Sequence, residues 1–253
     1  MRVREIEPYS AIADIYDKIY GSGVLGCLIR FQSVLRNLNW LAKTVLDVGC
    51  RTGSFALANS FIGMRVVGVD KSKALLKVAK RRVRCQLVKW ICQDMRNLDI
   101  PLHFDTAVSN LDSVNYLLDF LDVKNTFQGI ANHLVSGGFF LFDAVTPEQI
   151  RRYSGSIKLN FGRTCVLTSL ATIDTLKAIQ EMRIRVIDLT KSSSYMTEEI
   201  HRQRGYSYKQ MYSFLSEIGF DVIDAIEVEK FQESENFLAS TRLYYVAQLR
   251  ERK

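Results

Sequence analysis

Three acids stand at or just beyond the ends of three successive apolar runs, and this constrains the fold more than anything else in the chain. Thr44-Val-Leu-Asp-Val48 leads into Gly49, Arg65-Val-Val-Gly-Val69 leads into Asp70, and Gln86-Leu-Val-Lys-Trp-Ile91 is followed by Asp94. Short β-branched runs of this kind read as buried strands. Residues 54–61 and 72–82 between them carry apolar side chains at helical spacing, the second with Ser72 as N-cap. Strands alternating with helices build a parallel, doubly wound sheet, and such sheets bind ligands beyond the carboxyl ends of their strands. All three acids fall at that edge.

The pattern continues with a fourth strand at 103–109 and a helix at 115–134. That helix breaks near Leu121-Asp122 and closes on Gly137-Gly138 as its C-cap. A fifth strand follows at 139–142. Residues 9–20 and 24–41 read as two helices. Residues 157–188 and 194–206 alternate without helical spacing and read as an antiparallel insertion. A helix at 207–219 and strands at 220–228 and 241–249 close the chain. The expected fold class is α/β: a doubly wound, mostly parallel seven-stranded sheet with a small antiparallel β insertion. It divides into a helical cap (1–42), a ligand-binding core (43–150), an antiparallel lid (151–205) and closing elements (206–253).

Composition narrows the class. The 253 residues suit one α/β domain, and 47% hydrophobic with 24% charged residues is ordinary for a soluble protein. No apolar run is long enough to span a bilayer, and the N-terminus lacks the apolar core of a secretory signal. Five cysteines without a Cys-x-x-Cys pair argue against a disulfide framework or a zinc site and favour the cytoplasm. His103, His133 and His201 are too scattered to suggest a metal cluster. Part of the net charge of +7 sits on Lys77, Lys80, Arg81, Arg82 and Arg84. The helical spacing of residues 73–80 makes this a solvated helix face, with a nucleic-acid surface as the competing reading.

The loop Asp47-Val-Gly-Cys-Arg-Thr-Gly53 follows a strand and opens a helix. Gly49 and Gly53 allow close backbone approach, and the helix start offers free N–H groups. The loop is neither the Gly-x-Gly-x-x-Gly of dinucleotide enzymes nor a Walker loop. Asp70, at a strand tip, is placed to accept from both hydroxyls of a ribose. Asp94 could accept from an adenine amino group, with Met95 against the ring.

These stretches, together with Phe104-Asp-Thr-Ala-Val108 and Leu134-Val-Ser-Gly-Gly-Phe-Phe-Leu-Phe-Asp143, resemble the ordered motifs of class I S-adenosylmethionine (SAM) dependent methyltransferases. Residues 9–20, 111–116 and 201–206 resemble the bacterial small-molecule subgroup, which includes amino-sugar N-methyltransferases. The resemblance implies a Rossmann-like sheet and SAM as cofactor, with S-adenosylhomocysteine as product. It implies cofactor contacts from Tyr16, Asp47, Gly49, Cys50, Gly53, Asp70, Lys71, Asp94, Met95 and Asn110, with Leu111 near the sulfonium. Tyr20, Asn115 and Arg202 are the expected acceptor contacts.

The family usually has glycine where this chain has Arg51. The arginine side chain is expected to leave the cofactor path, and Arg51→Gly to keep or improve affinity. Asp112 and His201 are the expected catalytic groups, and His103 is a weaker candidate base. Glu199, His201 and Gln203 alternate with Arg202 and Arg204 along one strand, so only one set can face the pocket. The expected partner is a small-molecule acceptor, the expected assembly a monomer or homodimer, and no membrane or metal is implied. An RNA or protein methyltransferase, or a catalytically silent SAM-binding module, is the alternative.

Overall fold

The computed structural model describes residues 2–82, 85–152, 154–161, 164–188, 195–228 and 242–251. Arg84, Ser194 and Thr241, which figure in the expectations above, lie outside them. The chain begins with β1 (Arg2–Ile6), α1 (Tyr16–Asn37), β2 (Thr44–Val48), α2 (Ser54–Ser60), β3 (Arg65–Asp70), α3 (Lys73–Arg82) and β4 (Val88–Cys92). It continues through β5 (Phe104–Ser109), α4 (Phe120–His133), β6 (Leu134–Val145), α5 (Pro147–Arg152), β7 (Gly155–Phe161) and β8 (Thr164–Asp174). Then come β9 (Ile179–Asp188), β10 (Tyr195–Arg204), α6 (Tyr208–Ile218), β11 (Phe220–Glu227) and β12 (Arg242–Leu249).

The main sheet has seven strands in the order β11-β12-β6-β5-β2-β3-β4. The pairs from β6 through β4 are parallel, and β12 runs antiparallel to both neighbours. Alternation gives each strand two buried faces. Val45, Val66 and Leu141 pack with Phe31, Val34 and Phe55 of α1 and α2. Leu46, Val67, Phe140 and Phe142 pack with Phe127, Ile130, Phe214 and Leu215 of α4 and α6. The chain leaves β2 for β3 and β4 on one side and returns to β5 on the other. The crevice between β2 and β5 is therefore the topological switch point, where open α/β sheets bind ligands.

A second sheet, β1-β10-β9-β8-β7, is antiparallel except for β1 beside β10. Asn115 pins it to the main sheet. Its amide donates to the carbonyls of Val145 (3.0 Å) and Arg204 (2.7 Å) and accepts from the Val145 N–H (3.0 Å). Gly205 completes the junction. A Cβ there would lie 2.7 Å from the Thr146 carbonyl oxygen. These contacts carry β10 over the carboxyl tips of β5 and β6.

The local differences from the sequence expectations have physical causes. In place of the two N-terminal helices there is one, α1, which starts only at Tyr16, after a 3₁₀ turn at Ala13–Ile15, and is continuous through Gly21 and Gly23. Gly23 interrupts the apolar pattern because Leu111 packs on it: a Cβ would come within 2.9 Å of the leucine side chain. The helix over 115–134 is a 3₁₀ turn, Ser113–Tyr116, followed by α4. Leu134 is already extended (ψ 145°), so Gly137, at φ +73°, bends β6 and caps nothing. β1 is polar, and only its pairing with β10 makes it a strand.

Candidate active site

A cavity of about 680 Å³ opens at the switch point. Its walls include Gly49 and Arg51 from the β2 loop, Asp70 and Lys71 after β3, Asp94 and Met95 after β4, and Ser113 and Tyr116 after β5. The N-terminal segment 7–10 closes it from above with Tyr9.

The two loop glycines make room for different things. Gly49 (φ +75°) belongs to the cavity wall, where a Cβ would lie 2.6 Å from the Ser113 hydroxyl. Gly53 (φ +77°) faces the sheet, and a Cβ would overlap the Trp90 ring. Between them Arg51 holds φ +54°. That conformation costs a non-glycine residue roughly 1–2 kcal/mol. Its N–H donates to Asp70 Oδ2 (2.9 Å), and its guanidinium donates to the Asn110 carbonyl and to Ser113 Oγ (3.0 Å). The side chain thus runs along the cavity wall and does not leave it.

Asp70 is buried, with its second oxygen accepting from the Ser72 N–H at 2.8 Å. Burial raises its pKa, against the opposing pull of these N–H groups. Burial pushes Asp47 up to about 7. Asp94 behaves oppositely: hydrogen bonds from Arg96, at 2.8 and 3.0 Å, hold it below the ordinary carboxylate range.

A second group of side chains, from β10, lies behind Tyr9 and Tyr116 of the cavity wall. Glu199 and His201 are fully buried, and Glu199 Oε2 lies 3.1 Å from His201 Nε2. The other imidazole nitrogen is 3.0 Å from the Tyr116 hydroxyl, which accepts from the Tyr9 hydroxyl. Glu199 also accepts from the N–H groups of Tyr9 (2.8 Å) and Ala11. Burial raises both phenols above their ordinary pKa, so they stay protonated.

Residues 45–138 match the family described as "Methyltransferase domain". The chain is 30% identical over 174 residues to the cypemycin N-terminal methyltransferase of a Streptomyces species, an alignment covering 67% of each chain. The chain belongs to the class I SAM-dependent methyltransferases. Among solved structures, a SAM-dependent methyltransferase from Clostridium acetobutylicum ATCC 824 superposes with a TM-score of 0.77 at 23% identity. That match covers 96% of this chain and 99% of that one. The sugar N-methyltransferase KedS8 from Streptoalloteichus sp. ATCC 53650 gives 0.75 at 18% identity, covering 94% and 92%.

The residues of this methyltransferase fit SAM. Gly49 leaves a cradle that a Cβ would fill. Asp70 at the β3 tip and the Met95 thioether both line the cavity. Behind the wall, Asp47 Oδ2 and both amide atoms of Asn110 are buried without a hydrogen-bond partner among the described residues. Such groups are costly unless something bonds to them.

Other expected contacts lie elsewhere. Gly53 and Cys50 do not line the cavity; the Cys50 sulfur packs under Gly68, 3.0 Å from where a Cβ would sit. Tyr16 is buried beneath Tyr9, ring centroids 5.8 Å apart, with Tyr20 beyond it at 4.9 Å, so Tyr9 forms the wall in their place. Leu111 turns to α1. Asn115 has both amide N–H groups engaged in the inter-sheet clamp and none left to donate to an acceptor. Arg202 lies on the outer face of β10, paired with Glu181 at 3.0 Å, because alternation sends it opposite to His201. Asp112 is bound by Arg242 and Gln203. His103 precedes β5 and sits at the amino edge of the sheet, away from the site. Residue type and spacing do not single out Tyr9, Ser113, Tyr116 or the buried Asp143 that pairs with Arg242 at 2.8 Å.

Proposed function

We propose that the chain methylates an amine nitrogen of a small-molecule acceptor inside this cavity. The observation that carries the reading is the buried chain of side chains from Glu199 through His201 and Tyr116 to Tyr9. When bound, SAM supplies a methyl group activated by a positive sulfur. The protein's own residues need to align the acceptor, exclude water and take up the proton the nitrogen releases.

With Tyr9 donating to Tyr116, the Tyr116 proton is directed at His201 Nδ1. The ring proton then sits on Nε2, facing Glu199. A proton leaving the acceptor can enter at the Tyr9 oxygen, shift along both phenols and charge the imidazole, which the Glu199 carboxylate stabilises. The second sheet serves as the lid that makes this path dry. Asp70 would hold the ribose, with Asp94 and Met95 at the adenine.

The name of the sugar N-methyltransferase KedS8 points to nitrogen as the target in that protein, and it supports nitrogen here. An RNA acceptor is disfavoured because two of the α3 arginines are engaged: Arg81 pairs with Asp14 at 2.5 Å and Arg82 with Asp17.

The test supplies methyl-labelled SAM with a panel of acceptors. These are amino-sugar nucleotides, their hydroxyl counterparts, a peptide with a free N-terminus, and bulk RNA. Label on the small amines supports the reading. Label confined to hydroxyls, peptide or RNA, or no transfer at all, overturns it.

A further inference from the structure

Arg51 stands where the family it resembles usually has glycine, and it is a buried cation without a carboxylate in ion-pair contact among the described residues. Among the described residues its guanidinium donates to a carbonyl and a hydroxyl, both neutral. Unlike Arg242, which pairs with Asp112 and Asp143, it has no counter-ion within bonding distance among the described residues; Asp47 and Asp70 act on it only at longer range. Buried guanidinium groups are ordinarily paired, so this one calls for an anion.

Behind the same wall lies the complementary deficit. Asp47 Oδ2 and the Asn110 side-chain oxygen are buried, at 2% exposure for each residue, and neither has a donor among the described residues. A cation lacking an anion and acceptors lacking a donor therefore lie together between the tips of β2 and β5. The group that satisfies both is a zwitterion.

Arg51 also has the right span. Its backbone N–H touches Asp70 and its head touches the Asn110 carbonyl. A ligand whose ribose rests on Asp70 therefore has its tail directed along the arginine toward β5. We propose that Arg51 receives the α-carboxylate at the methionine end of the cofactor, with the ammonium group toward Asp47, as the sequence resemblance implies. The inference needs the cofactor orientation set by Asp70, and it is independent of the acceptor. It reverses the sequence expectation for Arg51: the arginine that replaces glycine binds the cofactor and does not obstruct it.

The test is calorimetric and needs no turnover. The full chain is titrated with S-adenosylhomocysteine and with S-adenosyl-3-thiopropylamine, which differs only in lacking the carboxylate. The expected result is at least tenfold tighter binding of S-adenosylhomocysteine by the wild type. In Arg51→Gly this preference should collapse to within about twofold, with affinity for the thiopropylamine unchanged, and Arg51→Lys should restore part of it. Equal binding of the two ligands by the wild type overturns the proposal without any variant. So does an Arg51→Gly protein that binds S-adenosylhomocysteine as well as or better than the wild type. Equal weakening of both ligands in Arg51→Gly also overturns it, because that marks a loop defect and not a carboxylate contact. Loss of the preference in Arg51→Gly with the Asp70 contact intact leaves the amine reading of the reaction untouched.

Discussion

Replacing Asp70 by alanine removes two things at once, and their sizes can be separated. The carboxylate accepts the Arg51 N–H at 2.9 Å and the Ser72 N–H at 2.8 Å in a buried setting. Leaving a buried donor unsatisfied costs about 1–3 kcal/mol, and water at the α3 end can relieve the Ser72 N–H. The ligand-free protein should therefore lose roughly 2–4 kcal/mol of stability. Binding adds a second loss. Two ribose hydroxyls left buried without their charged acceptor cost on the order of 2–4 kcal/mol, a weakening of about 30-fold or more. Urea unfolding measures the first quantity, and titration of the folded variant with S-adenosylhomocysteine measures the second. Asp70→Asn, which keeps the shape but offers one acceptor oxygen, should fall between alanine and wild type in both. A folded Asp70→Ala protein with affinity within threefold of wild type would refute the ribose assignment.

Further outcomes follow from the same geometry. His201→Ala should leave S-adenosylhomocysteine affinity near wild type while lowering turnover of the amine acceptor by about 100-fold, the usual contribution of a positioned acid–base group; unchanged kinetics would return His201 to a packing role. Burial lifts Asp47 to about 7 in the folded protein, whereas an unfolded chain holds aspartate at about 4. Between those values only the folded state keeps the proton, so ligand-free stability should fall as pH rises from about 4 to about 7. Asp47→Asn should flatten that slope, leaving the smaller part due to Asp143, which burial raises to about 6; an unaltered slope in urea unfolding would contradict the assignment. Gly53→Ala drives a Cβ into Trp90 at positive φ, an overpacking of about 2–4 kcal/mol, so the melting temperature should drop by several degrees, and an unchanged value would show that the loop relaxes freely.

Much of the fold was legible because burial leaves periodic marks. Residues 44–48 and 65–69 read as strands from β-branched runs, and 207–219 as a helix; in the structure that helix runs from Tyr208 to Ile218, with the Ser207 side chain accepting from the Gln210 N–H. β1 was not legible, since a polar stretch becomes a strand only through a partner more than 180 residues away. A residue's placement in the cavity wall was legible where it depends on a position at a strand tip, as for Asp70. It was not legible where the role depends on a long-range contact. Asn115 looks like any polar residue until its three hydrogen bonds across the sheets are seen. Arg202 and His201 are equally placed by alternation, and only the packing of β10 against the N-terminal segment decides which one turns inward.

A crystal structure of the S-adenosylhomocysteine complex tests the cofactor site most directly. The ribose hydroxyls should lie within hydrogen-bond distance of Asp70, the adenine beside Met95, the carboxylate on Arg51, and the sulfur facing the part of the cavity walled by Tyr9 and Tyr116. A ligand bound in the reverse direction, or outside the crevice between β2 and β5, would contradict this arrangement.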